Sequence, residues 1–192
     1  MPGLTPSRAG VPGSGPRVGI VVGNPKPRSR TFEAAEHIAR DLSGVAPTLS
    51  IDVVDLGPKL LGWGDEEVAE AVAAVQQLDL LVVASPTYKA AYTGLLKLFL
   101  DQFAAGSLGS VVTVPLMLGG SPTHSLAAET QLRPVLSELG AIIPVPALYL
   151  IDREWQTSET LAAWLPHARD VISRLTRHPV ESPARSVAEV GR

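Results

Sequence analysis

The sequence predicts an α/β protein: a doubly wound parallel sheet of five strands, in the order 2-1-3-4-5, with helices on both faces. Three observations predict it. Short apolar, β-branched runs alternate with longer segments whose apolar residues recur every three or four positions, the pattern of successive βαβ units. Several runs show no polar alternation, as expected of strands covered on both faces. A polar, basic loop follows the first run directly, where this strand order places a ligand.

Arg17–Gly23 (RVGIVVG) is the first buried strand, and it runs into Asn24-Pro25-Lys26-Pro27-Arg28-Ser29-Arg30-Thr31. A helix follows to about Leu42, with Phe32, Ala35, Ile38, Ala39 and Leu42 on one face. The loop offers Asn24, Ser29 and Thr31 as short hydrogen-bonding side chains, and Lys26, Arg28 and Arg30 as positive charge. Three cations at the positive end of a helix are unfavourable unless something negative binds there, which is the physical case for a phosphate site. The plainer reading is that Ser29 or Thr31 caps the helix while the basic residues stay solvated. The loop is neither GxGxxG nor GxxxxGK[ST], so a monophosphate fits better than a dinucleotide or a P-loop nucleotide.

Thr48–Asp55 (TLSIDVVD) alternates in part and reads as the second strand, broken by Gly57-Pro58. Leu60, Leu61 and Trp63 then form an apolar loop, with Trp63 a lid, a subunit contact or plain packing. Asp65 caps a helix over Glu66–Gln77, with Val68, Ala71, Val72 and Val75 facing inward. Asp79 is a strand-entry residue rather than a catalyst. Leu78–Ala84 is the third strand, ending at Ser85-Pro86-Thr87-Tyr88, and a further helix begins from Thr93. Pro86 stiffens this loop, and Tyr88 and Tyr92 bring flat rings with hydroxyls. Such a surface suits a planar heterocycle; a rigid βα turn with two half-buried tyrosines is the alternative.

Ser110–Leu118 is the fourth strand and stops at Gly119-Gly120-Ser121-Pro122-Thr123-His124. Paired glycines let backbone approach a ligand, or simply make a turn. Ser125–Leu139 is expected to be helical, kinked at Pro134 and ended by Gly140. Ala141–Val145 is the last strand, with Pro144 and Pro146 suiting an edge and Leu148–Ile151 extending it. A final helix spans about Ser158–Arg177. The loops after strands 1, 3 and 4 then converge on one edge of the sheet.

With 192 residues, 45% hydrophobic and 18% charged, the chain most simply forms one domain, expected over 17–177. Residues 1–16, rich in Pro, Gly and Ser and without an apolar stretch of signal-peptide length, read as a disordered leader, and 178–192 as a flexible tail. A net charge of -3 argues against a nucleic-acid or anionic-membrane surface. The absence of cysteine excludes disulfides, thiolate metal sites and cysteine nucleophiles. No segment reaches the roughly 18 uninterrupted apolar residues a membrane span needs, and a cytoplasmic location is the default.

Together these loops resemble the NADPH-dependent FMN reductase family, flavodoxin-like in fold, and within it the reductases that supply sulfonate monooxygenases. The resemblance covers roughly Val18 to Ile151. The family's first loop reads GSPRxxSxS; here Gly23-Asn24-Pro25-Lys26-Pro27-Arg28-Ser29-Arg30-Thr31 stands in its place. Lys26 replaces an arginine and gives up its bidentate fork. The second block, TPVYKxSYSGxLKxxLD, is matched by Ser85-Pro86-Thr87-Tyr88-Lys89-Ala90-Ala91-Tyr92-Thr93-Gly94-Leu95-Leu96-Lys97 and Asp101. Lys97 and Asp101 also suit a surface ion pair at i,i+4. The third block, GGTxAHxLAxxxxLKPVLxxL, is met by Gly119-Gly120-Ser121-Pro122-Thr123-His124, Leu126-Ala127 and Leu132-Arg133-Pro134-Val135-Leu136. One departure is Thr130, where some members of the branch carry an aromatic residue; subunit packing and flavin release are where that difference would tell.

The resemblance implies hydride transfer from NADPH to FMN, with the protein supplying stacking, orientation and phosphate anchoring. It places the FMN phosphate on Asn24, Lys26, Ser29 and Thr31, with Arg30 helping. The isoalloxazine lies against Pro86, Thr87, Tyr88 and Lys89, with Gly119, Gly120, Ser121 and His124 on its other side. It implies no catalytic side chain and no metal, a homodimer or homotetramer, and a possible partner monooxygenase. Three rivals stay open: a quinone, azo-dye or metal-ion reductase with tightly bound FMN; a flavodoxin-like electron carrier, which a charge of only -3 disfavours; and a binding module without flavin.

Overall fold

The computed structural model of the chain describes residues 15–176. Residues 15 and 16 apart, the expected leader and the whole of the expected tail lie outside the described residues, as does Arg177 at the end of the expected last helix. Five parallel strands, β1 (Val18–Val22), β2 (Leu49–Asp52), β3 (Leu80–Pro86), β4 (Val112–Gly119) and β5 (Leu148–Ile151), form one sheet in the order β2-β1-β3-β4-β5. That is the expected flavodoxin-like arrangement.

Alternation along the central strands builds two separate cores, because successive side chains point to opposite faces. Val18, Ile20 and Val22 of β1, Leu80, Val82 and Ala84 of β3, and Val114, Leu116 and Leu118 of β4 share one face. On that face they meet Phe32, Ala35, Ile38 and Leu42 of α1 (Arg30–Ser43) and Ala168 and Ile172 of α5 (Glu159–Thr176). Val21, Leu81, Val83 and Met117 face the other way, against α2 (Glu66–Val75), α3 (Gly94–Leu100) and α4 (Arg133–Glu138), represented by Val68, Val75, Leu96, Phe99 and Leu136. Each fully buried aliphatic side chain contributes about 1.5–3 kcal/mol, so the two cores outweigh any surface term in fixing the architecture.

The helix starts follow the sequence closely. Asp65 accepts from the Glu67 and Val68 N–H groups to cap α2, and Thr93 caps α3. Gly140 (φ 80°) follows α4 in the left-handed conformation expected of it. Asp79 takes its expected strand-entry position and pairs with Arg17 at 3.2 Å.

Beyond shifts of one or two residues at the ends of β1 and β4 and at the start of β3, three strands differ from expectation. Only Leu49–Asp52 pairs as β2; Val53–Leu61 turns into 3-10 structure kinked at Gly57 (φ 49°), because the strand runs out of partner at the end of β1. β3 continues through Ser85 and Pro86 alongside Met117 and Leu118 instead of stopping at Ala84. The last strand is Leu148–Ile151, and of the expected 141–145 strand only Ile142 makes a bridge, to Val112. The reason lies in tertiary hydrogen bonds. Arg133 donates to the Val145 and Ile143 carbonyls at 2.9 and 3.0 Å, and Glu129 accepts the Ala147 N–H at 2.8 Å. Side chains thereby occupy backbone groups that a ladder would use.

The expected 125–139 helix is also broken. A 3-10 turn (Pro122–His124) and a π-helical turn (Ala128–Leu132) precede α4. The irregularity sits upstream of Pro134, which falls in the first turn of α4, where a missing N–H costs nothing.

Candidate functional site

The loops after β1, β3 and β4 leave neighbouring strands at the same edge, and hydrogen bonds join them in sequence. Thr93, beside the β3 loop, donates its hydroxyl to the Gly23 carbonyl at 2.5 Å, tying that loop to the end of β1. The same oxygen accepts the Leu96 N–H, while the Thr93 N–H donates to the buried Ser85 hydroxyl. The Thr87 N–H reaches the Leu118 carbonyl at 2.7 Å, joining the β3 and β4 loops. The Asp152 N–H donates to the Gly119 carbonyl, joining β5 to the same edge.

The loop after β1 is built by its own short polar side chains. Asn24, Ser29 and Thr31 are all buried. The Asn24 amide donates to the Thr31 hydroxyl at 3.1 Å and its carbonyl oxygen accepts the Lys26 N–H at 2.9 Å. Ser29 caps α1 by accepting the Phe32 N–H. The Arg28 N–H donates to Asp52 at the end of β2 at 2.8 Å. The remaining N–H groups of the first turn have no intrahelical acceptor, and the Ser29 and Thr31 hydroxyls, here acting as acceptors, keep their protons for donation. The three sequence-predicted side chains therefore shape the cradle and offer donors at its rim.

The cations are not equivalent. Arg28 lies over the Phe32 ring, 4.5 Å from its centroid, and reaches Asp55 at 4.0 Å. Arg30 pairs with Asp152. Lys26 is exposed, and among the described residues no carboxylate holds its ammonium group. Expected as one basic cluster, the three divide into two engaged arginines and one uncommitted lysine.

In the β3 loop, Tyr88 and Ala91 exchange backbone hydrogen bonds of 2.9 and 3.2 Å around Lys89 and Ala90. Both central residues have positive φ, 52° and 67°. A turn of this kind normally takes Asn-Gly, so the non-glycine residues carry strain of the sort that gathers at ligand sites. Tyr88 and Lys89 are exposed at its tip, whereas Pro86 is buried as the last residue of β3 and supports the loop from below. Thr87 is partly exposed, but its hydroxyl is buried without a partner.

The paired glycines have different jobs. Gly119 is buried, and a β-carbon there would collide with the Tyr149 hydroxyl, which donates to the Ser121 carbonyl at 2.8 Å. Gly120 is exposed and a β-carbon would meet nothing within 4 Å. Only the second glycine leaves room for a ligand. Ser121 bonds locally to Thr123, and His124 is exposed on the 3-10 turn.

The structure thus brings the thirteen predicted residues to one sheet edge, with Pro86 and Gly119 beneath the surface. Three contributors were missed by the sequence reading as such: Asp52, Thr93 and Tyr149. Asp52 and Tyr149 each interrupt an apolar strand, the one signal available; Thr93 lay inside a quoted motif without a role. An anion cradle at a helix start, a strained tyrosine-bearing turn and an open glycine together fit a flavin mononucleotide.

A family model described as NADPH-dependent FMN reductase matches residues 16–156. The FMN reductase (NADPH) of Escherichia coli K12 is 35% identical over 135 residues, covering 65% of this chain and 68% of that protein. The NADH-dependent FMN reductase SfnF of Pseudomonas putida is 33% identical over 180 residues, covering 88% and 97%. Among solved structures, the apo form of the NADH:FMN oxidoreductase EMOB superposes with a TM-score of 0.74 at 34% identity, covering 84% of this chain and 91% of that one.

Proposed function

The chain belongs to the NADPH-dependent FMN reductase family, and from that premise we propose how its sheet edge serves an NAD(P)H:FMN oxidoreductase. FMN, when bound, accepts hydride from the reduced nicotinamide. The loop after β1 receives the phosphate on the first-turn N–H groups of α1, the Ser29 and Thr31 hydroxyls and the Lys26 ammonium, with Asn24 holding the loop closed. Arg30 helps only by leaving Asp152. The ring system lies between Thr87, Tyr88 and Lys89 on one side and Gly120, Ser121 and His124 on the other, over Pro86 and Gly119. The observation that carries this reading is the loop after β1: its side chains are engaged in building it, while the donors at its rim and Lys26 remain uncommitted.

Flavin exchanges freely in this reading, and the reduced product serves a partner monooxygenase, as the resemblance to the monooxygenase-supplying reductases implies; a cytoplasmic location is the default reading of a sequence without a membrane-length apolar segment. Among the described residues no helix is long and apolar enough to cross a membrane. A homodimer or homotetramer is supported by the exposure of Leu61, Trp63 and Leu126 and by a groove of about 420 Å³ between α3 and α4, lined by Leu100, Phe103, Val135 and Leu139.

The test is NADPH and NADH oxidation by the desalted full chain, with and without added FMN. Turnover that requires and saturates with added FMN is expected. In Lys26→Ala the KM for FMN should rise about fivefold with kcat unchanged, as for loss of one exposed charge contact to phosphate. Protein that stays yellow and turns over only with a quinone or dye overturns the free-flavin reading, and an unchanged KM overturns the role of Lys26.

A further inference from the structure

Asp52 ends β2 on the far side of β1 from the β3 loop, and it is 3% exposed. One carboxylate oxygen accepts the Arg28 N–H at 2.8 Å; the other is buried with no partner. A buried, half-satisfied carboxylate beneath an anion-binding loop is unfavourable twice over, through desolvation and through like charge. Burial pushes its carboxyl above the usual value, and neighbouring Asp55 adds to this, while the Arg28 backbone bond and side-chain charge oppose it. Such a group needs a compensating role.

The backbone of Arg28 supplies one. Its φ is 47°, a left-handed conformation that a non-glycine residue holds only when its surroundings impose it. Arg28 immediately precedes Ser29, the N-cap of α1, so its conformation sets how the chain enters the helix. Its side chain is drawn aside over Phe32 toward Asp55. We propose that Asp52 is a positioning residue for flavin phosphate: by accepting the Arg28 N–H it holds the left-handed kink that presents the start of α1 to the ligand. Arg28 acts here through its backbone, not as a phosphate ligand.

This inference rests on the phosphate reading of the loop, and the experiment separates the two. Dissociation constants for FMN and for riboflavin, which lacks the phosphate, are measured by flavin fluorescence on the full chain and on Asp52→Ala and Asp52→Asn. Wild type should prefer FMN. Asp52→Ala should weaken FMN about tenfold, the scale of one buried hydrogen bond, and leave riboflavin unchanged. Asp52→Asn, which keeps an acceptor for the Arg28 N–H, should stay within about twofold of wild type. Equal weakening of both flavins by Asp52→Ala, or none, overturns the positioning role, as does an Asn variant no better than the Ala variant. Should Asp52→Ala fail to fold, Asp52→Val, which also keeps no acceptor for the Arg28 N–H and suits a strand end, carries the same expectation and the same overturning results. A wild type that binds FMN and riboflavin equally removes the phosphate reading itself.

Discussion

The loop after β1 and the loop after β4 share an edge of the sheet but are built in opposite ways. In the first, Asn24, Ser29 and Thr31 are buried and bonded to one another's neighbourhood, and Asp52 reaches in from β2. In the second, every residue from Gly120 to Leu126 is exposed, and Tyr149 holds the segment through a hydrogen bond to the Ser121 carbonyl. Under the proposed function, the difference matches what each loop would meet. A phosphate presents fixed charge and geometry, so donors gain most from being held in place beforehand. A ring that must stack, react and leave is better covered by backbone that can adjust.

The comparison breaks most severely at Thr93, which joins the rigid loop to its neighbour. Thr93→Val should lower unfolding free energy by about 3 kcal/mol, since the buried Gly23 carbonyl and Leu96 N–H lose their partner together. Thr93→Ser should recover most of it, and denaturant midpoints for the two variants decide the matter. A midpoint for Val equal to wild type would show the bridge to be idle.

Next in size is the asymmetry of the paired glycines. Gly119→Ala drives a methyl group into the Tyr149 hydroxyl and should cost about 2 kcal/mol, while Gly120→Ala should change stability by less than about 0.5 kcal/mol. In flavin binding the order reverses in kind: Gly120→Ala, stable but intruding on the ring side, should weaken FMN and riboflavin alike. Thermal unfolding beside flavin titration of both variants separates packing from site.

The smallest effect sharpens the rigid loop electrostatically. With its folded-state carboxyl raised above 3.8, Asp52 binds a proton more tightly in the folded chain than in the unfolded one. Its contribution to stability is therefore present at low pH and lost as pH rises through the carboxylate range. Asn does not titrate, so the stability of Asp52→Asn relative to wild type should improve as pH rises through the carboxylate range and then level off. Urea midpoints at both ends measure it, and a pH-independent difference would contradict the assignment.

How far the sequence revealed this depended on whether the deciding contacts were local. The central strands were legible because a strand buried on both faces is a continuous apolar run, and the caps at Ser29 and Asp65 act within three residues. The start of the last strand was not. Residues 141–147 look nearly as apolar as a strand, and beside Pro144 and Pro146, which lack an N–H, the side chains of Arg133 and Glu129 engage the Ile143, Val145 and Ala147 backbone groups that a ladder would use. The polar residues of the first loop were visible as a group, yet their partner Asp52 lies 24 residues from Arg28 in sequence. Likewise the paired glycines read alike until Tyr149, 28 residues from Ser121, came to fill the space beside one of them.

The sheet is long at its centre, with seven residues in β3 and eight in β4, and short at its rims, with four each in β2 and β5. A four-residue rim presents few unpaired N–H and C=O groups, and Pro144 and Pro146 stand just ahead of β5 with no N–H to lend. Among the described residues, another chain arriving at either margin finds almost no template on which to add a strand. Short, proline-flanked margins of this kind disfavour fibre-like growth by edge-to-edge pairing of copies.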